Sequence, residues 1–384
     1  MSRSDLLVVA GEASGDLHGA RLLEALRERV PDLAAFGLGG DEMIGAGFEA
    51  LAHSSEVSVI GFAEVLKIFR RARQIFRRIL DEVDRRGTRT AVLIDFSGFN
   101  LRLARQLHRR GVRILYYVSP QVWASRPGRV RTIARTIERM LVVLPFEVDF
   151  YRRHGVEAIH VGHPLIDEVP VLEQVWDRAP REPFRLVLLP GSRRNEVRSL
   201  LPDLLETARR MSREIDLRVC LIQASTVAPE LFDEILAASD LQVERVPRAA
   251  RFSAIADAHL ALCASGTATL EVGLLGTPLI VVYRLSWLTS LLGRLLFKLP
   301  YFAMVNLILD GPVVPELAQD AVSPHRLAPV ATSLLRDSGR IAAMRGSLSE
   351  LRSRLGESGA SRRAAAEVAE VMASSATASP GGAG

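Results

Sequence analysis

The sequence is poor in cysteine and has no long apolar run, and each absence excludes a class of protein. The two cysteines, Cys220 and Cys263, lie singly in apolar strand-like runs, which excludes a disulfide framework and a cysteine zinc site. No uninterrupted apolar run approaches the ~20 residues of a membrane-spanning helix. The first apolar run, 5–10, is followed by Glu12 and Asp16, whereas a secretory signal has a longer apolar core without such acids. We therefore expect a cytoplasmic protein.

Lysine is nearly absent as well. Lys67 and Lys298 are the only lysines among 49 basic residues, and the arginines that give a net charge of +5 are spread along the chain. No motif that reads DNA or RNA accompanies them. We therefore attribute the arginine bias to genome composition and expect no nucleic-acid partner.

Short apolar runs alternate with amphipathic stretches along most of the chain. This alternation is typical of an α/β fold in which helices cover both faces of a parallel sheet. The pattern restarts after a linker at about 166–183, which is rich in proline and charge. We predict strands at 5–10, 33–38, 90–94, 112–118 and 139–144 before the linker, and at 185–189, 217–222, 241–245, 259–263 and 279–283 after it.

The restart predicts two Rossmann-like domains that face a central cleft. In such folds the active site lies outside the carboxyl ends of the strands. We place the domains at 1–168 and 169–345, further C-terminal helices at 346–373, and a disordered tail at 374–384.

Two glycine turns of the second half have the context of a nucleotide site. Ser265, Gly266 and Thr267 join an apolar strand to a helix, and the N-terminus of a helix attracts phosphate through unpaired N–H groups and the helix dipole. Glu271, one turn further, is placed to accept hydrogen bonds from paired sugar hydroxyls. The alternative is an ordinary βαβ unit in which Ser265 caps the helix.

The second of these turns contains Gly191, Ser192 and Arg193, directly after the strand at 185–189. An arginine at this point can neutralise a diphosphate leaving group without a metal. Because the carboxyl ends of parallel strands share one edge, both turns are expected on the same rim. Together they favour a nucleotide site over simple helix capping.

Acidic residues end two strands of the first half. Glu12 and Asp16 lie in the turn after the first strand, where they would repel a pyrophosphate and suit sugar hydroxyls or proton transfer. The alternative is helix capping by Ser14 or Asp16. Asp95 follows the strand at 90–94 and is a candidate general base or positioning residue. Asn100 is placed to cap the helix that follows.

The segment 61–80 combines a wide apolar stripe with cations. This pattern suits an anionic membrane surface or an acidic lipid, and the alternative is a core-facing helix with a solvated basic face. The candidate membrane or acceptor contacts are Phe62, Leu66, Phe69, Arg70, Arg73 and Phe76.

Several motifs, taken together and in order, resemble the lipid-A-disaccharide synthases, bacterial glycosyltransferases of the two-Rossmann-domain (GT-B) class. Each motif is weak alone, but the set covers nearly the whole chain. The motifs are Gly11–Asp16, Gly37–Asp41, Tyr117–Pro120 with Trp123, Gly162-His163, Leu189–Arg193, Ala264–Ala268 with Leu270-Glu271, and Asn306–Gln319.

This resemblance implies an inverting transfer that needs no metal and no cofactor. The donor would be UDP-2,3-diacylglucosamine, the acceptor the 6-hydroxyl of 2,3-diacylglucosamine 1-phosphate, and the products a β-1,6 disaccharide and UDP. It implies a peripheral protein on the cytoplasmic face of the inner membrane. It also implies a homodimer with exchanged C-terminal segments, the alternative being C-terminal helices that return to their own N-terminal domain.

The resemblance also implies residue roles. The first domain would take the acceptor and face the membrane through 61–80, and the second would bind the UDP-sugar. Arg193 would hold the diphosphate, Glu271 the ribose, and Asn306 and Gln319 would line the donor side. The UDP-sugar set is Gly191, Ser192, Arg193, Ser265, Gly266, Thr267, Glu271, Asn306 and Gln319.

One departure from the family pattern concerns the general base. Relatives often have Asp-x-Pro-Asp-Phe-Asn, and here the second acid is replaced by Gly98. The base is therefore left open among Asp95, Asp16, Glu12 and His18. Two rival functions follow: a UDP-sugar epimerase on the same fold, and a lipid- or UDP-sugar-binding protein with impaired catalysis.

Overall fold

The computed structural model describes residues 4–57, 65–120, 122, 127–171, 182–284 and 301–377. The chain forms two compact units, one of residues 1–164 with 356–384 and the other of residues 165–355. Each unit is built around one parallel sheet. The α/β fold class predicted from the alternation of apolar and amphipathic runs is confirmed.

The first unit has a seven-stranded parallel sheet in the order β3-β2-β1-β4-β5-β6-β7. The central strands are apolar on both faces, and Leu6 to Ala10 and Ala91 to Ile94 are completely buried, as expected where helices cover both sides of a sheet. The strands are β1 Ser4–Ala10, β2 Leu33–Gly39, β3 Glu49–His53, β4 Thr90–Ile94, β5 Arg113–Tyr117, β6 Arg139–Val142 and β7 Ala158–His160. The first six helices of the unit are α1 Ala13–Arg27, α2 Asp41–Gly45, α3 Val65–Arg86, α4 Ser97–Arg109, α5 Val130–Thr136 and α6 Pro145–Arg152.

The second unit has a six-stranded parallel sheet in the order β10-β9-β8-β11-β12-β13. Its strands are β8 Phe184–Leu189, β9 Leu217–Ile222, β10 Glu244–Val246, β11 Leu260–Ala264, β12 Leu279–Tyr283 and β13 Glu316–Ala318. Its helices are α7 Leu165–Glu168, α8 Arg194–Met211, α9 Pro229–Ala237, α10 Arg251–Ala256, α11 Thr267–Leu274, α12 Met304–Leu309, α13 Pro324–Arg336, α14 Ser338–Ser349 and α15 Leu351–Leu355.

The last helix, α16 (Ala360–Thr377), belongs to the first unit and packs on α1, β4 and β5. Arg139 on β6 forms ion pairs with Glu367 at 2.7 Å and Glu370 at 2.9 Å. Arg113 on β5 donates to the carbonyl of Val371 at 3.0 Å. These contacts stabilise the end of the helix, so residues 374–377, which we expected to be disordered, are helical and that prediction was wrong.

Candidate functional site

The strand register brings the predicted nucleotide turns to one edge of the second sheet. Cys263 on β11 pairs with Leu189 on β8, and Ala264 pairs with Val282 on β12. Neighbouring strands are about 4.8 Å apart, so the segments that leave β8, β11 and β12 start side by side. This edge is where parallel α/β sheets bind ligands.

The turn after β8 presents an arginine to solvent. Gly191 adopts φ +110°, which favours glycine, and the hydroxyl of Thr226 donates to the carbonyl of Ser192 at 2.7 Å. The Arg193 side chain is 72% exposed, and its Nη1 lies 3.1 Å from Oε1 of Glu196. The guanidinium is therefore held at the rim with its other donors able to reach an anion.

The turn after β11 leaves the start of a helix open. Helix α11 begins at Thr267, and no side chain of the described residues caps it. Ser265 Oγ donates instead to the carbonyl of Phe302 at 3.3 Å, so the alternative in which Ser265 caps the helix is wrong. Gly266 and Thr267 are exposed, which leaves the first N–H groups of the helix available to a phosphate.

Glu271 lies one turn into α11 in a partly apolar setting. Burial raises the pKa of its carboxyl, the nearby Arg251 opposes this rise, and Glu168 adds to it. The Nε atom of Arg251 is 3.8 Å from Oε2 of Glu271. A desolvated carboxylate of this kind forms strong hydrogen bonds with hydroxyl donors.

Asn306 differs from the direct ligand role that the family resemblance implied. The side chain is buried, with 1% exposed, and its amide Nδ2 donates to the carbonyl of Val314 at 2.9 Å and to Oε1 of Glu316 at 2.8 Å. Its Oδ1 accepts the Val314 N–H at 2.9 Å. Both amide hydrogens are thus used inside the unit, and Asn306 fixes the loop that leads into β13. Gln319 directly follows β13, half-buried and with φ +55°.

Two residues of this edge, Glu316 and Tyr283, were given no role by the sequence reasoning. Glu316 accepts the N–H groups of Phe302 and Ala303, both at 2.9 Å, and so holds the segment against which Ser265 bonds. The ring of Tyr283 stacks on Phe302 with 5.7 Å between centroids. The position of Tyr283 at the end of β12, beside the two glycine turns, was the feature of the sequence that could have indicated this role.

The sharp turn after β4 in the first unit carries the strongest backbone strain near a candidate acid. Asp95 and Phe96 have φ of +41° and +44°, a conformation that side-chain-bearing residues adopt at a cost and that clusters at functional sites. The carbonyl of Asp95 accepts hydrogen bonds from Asn100 Nδ2, at 2.9 Å, and from the Tyr116 hydroxyl. Asn100 also donates to the carbonyl of Ile94 at 3.1 Å. It therefore holds the turn and does not cap α4 as proposed.

Gly98 lies exposed in the first turn of α4. A Cβ added there would meet no atom of the described residues within 4 Å, so among them an acidic side chain at this position has room. Nearby, Arg129 Nη1 donates to Ser97 Oγ at 3.0 Å. The backbone therefore does not require glycine at position 98, and the absence of the family's acid there changes the chemistry of the turn without being imposed by its shape.

Asp16 is buried and engaged with the backbone of another element. Its Oδ1 accepts the N–H groups of Gly40, at 2.6 Å, and Met43, at 3.2 Å, and its Oδ2 accepts that of Glu42 at 3.0 Å. These bonds cap α2 from outside the helix. Asp16 thus acts as a cap, although not of its own helix, and its oxygens are already committed.

The remaining base candidates of the first unit are His18, which lies near His163, and Glu12. Burial, with a smaller effect of the Arg21 charge, lowers the pKa of His18 to about 4. Burial, together with His18 and His160, lowers the pKa of His163 to about 3. Both imidazoles are neutral at pH 7 and bind protons weakly. Glu12 is exposed just before α1.

The apolar stripe predicted at 61–80 divides between core and surface. The half-buried Phe76 ring packs edge-on against Phe99, with 5.5 Å between ring centroids, beside the buried residues of the core. This contact favours the core-facing alternative at that position, and the membrane role of Phe76 stays a prediction. Arg70 and Arg73 are exposed. Phe62 and the side chains of Leu66 and Phe69 lie outside the described residues.

The described part of the chain holds neither a membrane-spanning helix nor a cluster of metal ligands. None of its helices is both long and apolar enough to cross a membrane. Within the same residues, no group of three or more histidine, cysteine or acidic side chains is arranged to hold a metal ion.

Comparison with known proteins gives a match along the whole chain. Residues 6–371 match a family model described as lipid-A-disaccharide synthetase. The lipid-A-disaccharide synthase of Myxococcus xanthus (strain DK1622) is 44% identical over 374 residues, covering 96% of this chain and 97% of that protein. That of Syntrophus aciditrophicus (strain SB) is 40% identical over 371 residues, covering 95% and 97%.

Solved structures give the same fold at low identity. The calicheamicin glycosyltransferase CalG4 has a TM-score of 0.60 at 16% identity, covering 99% of this chain and 100% of its own. MurG of Acinetobacter baumannii has a TM-score of 0.57 at 14% identity, covering 96% of this chain and 100% of its own. UDP-GlcNAc 2-epimerase from Neisseria meningitidis, bound to UDP-GlcNAc, has a TM-score of 0.61 at 9% identity, covering 96% of this chain and 100% of its own. The TM-scores establish the GT-B type fold. The sequence identities are too low to choose between transferase and epimerase.

Proposed function

This chain belongs to the lipid-A-disaccharide synthase family, and from that premise we propose how its residues perform the reaction. It is a glycosyltransferase of lipid A biosynthesis that forms the disaccharide from UDP-2,3-diacylglucosamine and 2,3-diacylglucosamine 1-phosphate. The observation that carries this conclusion is the family match over residues 6–371. The epimerase alternative has only the fold in its favour.

The donor site is proposed at the carboxyl edge of the second sheet. Arg193 would bind the diphosphate, and the open start of α11 at Gly266 and Thr267 would bind its neighbouring oxygens. Glu271 would accept hydrogen bonds from the ribose hydroxyls. What supports this is the register that sets the β8 and β11 turns side by side and the exposure of the guanidinium. Both features stabilise the negative charge that develops on departing UDP.

Asp95 is proposed as the general base that takes the proton of the acceptor hydroxyl. Three observations support it over Asp16 and His18. Its backbone is held in a strained turn by Tyr116 and Asn100, Asp16 is committed to three N–H groups, and His18 has a pKa of about 4. A base must sit within hydrogen-bond reach of the proton it removes and have a suitable pKa.

The reaction itself is tested with the two lipid substrates in detergent. We expect mass spectrometry to detect the disaccharide, and UDP to be released only when the acceptor is present. An epimerase would convert or hydrolyse the UDP-sugar without acceptor. A chain that binds the UDP-sugar tightly and gives no product over long incubation would be a binding protein. Either result contradicts the proposed function.

Peripheral attachment to an anionic membrane is proposed through the start of α3. Arg70, Arg71 and Arg73 are exposed there, and of these Arg71 pairs with Glu56. Each arginine near an anionic surface contributes about 1 kcal/mol.

The homodimer stays a prediction, which sedimentation of the full chain tests.

Reversing the charges of Arg70 and Arg73 should weaken membrane binding. We expect Arg70→Glu/Arg73→Glu to reduce binding to vesicles of phosphatidylglycerol and phosphatidylethanolamine by at least about tenfold at physiological salt. The matched control is Arg213→Glu/Arg218→Glu, which changes the same charge at two exposed positions of the second unit. Equal losses for both pairs, measured by co-sedimentation, would mean that net charge and not this surface determines attachment.

A further inference from the structure

A carboxylate of the chain itself occupies the anion position of the β8 turn. Oε2 of Glu196 accepts the N–H groups of Ser192 at 3.2 Å and Arg193 at 3.3 Å. Oε1 of Glu196 accepts Nη1 of Arg193 at 3.1 Å. Gly191 makes room for it, because a Cβ there would lie 2.6 Å from Oε2. The turn therefore closes around a negative group.

Glu196 is held by the turn whose Arg193 the proposed function assigns to the diphosphate, and the Arg193 guanidinium is common to both. A phosphate oxygen that took the N–H groups of Ser192 and Arg193 would need the place where Oε2 now lies. The present bonds, at 3.1 to 3.3 Å, are longer than the about 2.7–2.9 Å of strong charge-assisted pairs. They are therefore suited to exchange with a more highly charged anion.

The turn itself is fixed independently of this side chain. Thr226 Oγ1 holds the carbonyl of Ser192 at 2.7 Å. Arg284 fixes the helix behind the turn through the carbonyl of Ser199 at 2.8 Å and the carboxylate of Asp203 at 2.6 Å. The Glu196 side chain can thus leave while the N–H groups keep their positions.

We propose that Glu196 is an internal competitor of the nucleotide diphosphate, and this inference rests on the donor site proposed above. In the free enzyme the carboxylate satisfies the two N–H groups and orients the Arg193 guanidinium. On binding, the diphosphate displaces it, and after transfer its return helps to expel UDP. Glu196 is a positioning residue that sets the affinity for UDP and does not take part in the chemical step.

The variant Glu196→Gln tests the charge with nearly unchanged shape. The amide oxygen still accepts the N–H groups of the turn, so the helix end stays capped, but the competing charge is gone. We expect the inhibition constant of UDP to fall about five- to tenfold, as one unit charge beside an exposed anion site implies. The KM for the donor should fall in parallel, and the gain should shrink in 0.5 M NaCl.

Glu206→Gln is the matched control. Glu206 lies on the same helix and accepts hydrogen bonds from Arg209 at 2.5 and 2.8 Å and from Arg210 at 2.8 Å, but far along α8 from the turn. Its substitution should leave the inhibition constant of UDP within about twofold, the scatter expected for a surface ion pair.

A crystal structure of the unchanged chain with UDP gives a second readout that needs no variant. A phosphate oxygen should replace Oε2 of Glu196 on the N–H groups of Ser192 and Arg193. The inference is overturned if Glu196 keeps both bonds with UDP present, or if Glu196→Gln binds UDP no better than the parent. If Arg193→Ala also leaves UDP binding unchanged, the donor site itself is wrong; if Arg193→Ala weakens binding, only the role of Glu196 falls.

Discussion

Arg193→Ala should lower turnover at least about 100-fold. Negative charge accumulates on the diphosphate as the bond to the sugar breaks, and one preorganised charge stabiliser contributes about 2.7–4 kcal/mol to that transition state. The arginine supplies several donors in a planar fork that matches phosphate oxygens. Steady-state kinetics with both lipid substrates in detergent measures the loss.

The same substitution should have little effect on the fold. The Arg193 side chain is 72% exposed, and its ion pair with Glu196 is a surface pair, a type that contributes at most about 1 kcal/mol to stability. The thermal midpoint should therefore stay close to that of the parent, so a loss of turnover reports on the reaction.

Two further substitutions sharpen the test. Arg193→Lys keeps the charge but loses the fork, and turnover between the parent and Arg193→Ala is expected. Arg198→Ala removes an exposed arginine one turn further along α8 and should leave turnover unchanged. Arg193→Ala with near-normal turnover, or Arg198→Ala with the same loss, would remove Arg193 from the leaving-group role.

The sequence reasoning found the strands that lie inside the sheets and missed or misplaced those at the edges. Strands such as β1, β4, β8 and β11 are buried on both faces and therefore appear as continuous apolar runs. The strands β3, β7 and β13 were missed, and β10 was predicted three residues too early; all four are edge strands. An edge strand is covered on fewer sides, and β7 and β13 are only partly buried. Their sequences consequently have no run that distinguishes them from loops.

The polar residues of the candidate site show a second limit of sequence reasoning. The pattern indicated that Asp16 and Asn306 matter, but not what they bind. Asp16 accepts N–H groups that lie 24 to 27 residues away along the chain, and Asn306 bonds a loop eight residues away. Such partners depend on tertiary packing, and a polar residue near a strand end looks the same whether it binds a ligand or a loop.

Phe76 shows the same limit for an apolar residue. A helix with apolar and basic stripes packs on a core or on a membrane with the same periodicity. Only the contact with Phe99 favours the core at this position.

Asp95→Asn should lower kcat about 100- to 1000-fold, within the range that a positioned general base contributes. The substitution is nearly isosteric, and asparagine tolerates the left-handed conformation at φ +41°. The hydrogen bonds that Tyr116 and Asn100 donate go to the backbone carbonyl of Asp95, so they survive the change. The loss is therefore expected in chemistry rather than in folding.

The pH dependence separates a base from a structural acid. In the parent, kcat/KM should fall as the pH drops through the pKa of the base, because the protonated form cannot accept the acceptor's proton. In Asp95→Asn this acid limb should disappear. Asp310→Asn, at an exposed position with φ +52°, is the matched control for the backbone conformation and should keep both the rate and the limb.

Gly98→Asp adds a test in the opposite direction. Since a Cβ at Gly98 meets no atom within 4 Å in the part of the chain that the structure describes, the variant should fold, and its new carboxylate lies three residues from Asp95 in the same turn. We expect the double variant Asp95→Asn/Gly98→Asp to react about tenfold or more faster than Asp95→Asn alone. The reason is that general-base efficiency depends on placing a carboxylate within reach of the hydroxyl. Asp95→Asn with a rate within about threefold of the parent and an unchanged acid limb would exclude Asp95 and direct the search to Glu12, the exposed acid of the neighbouring turn.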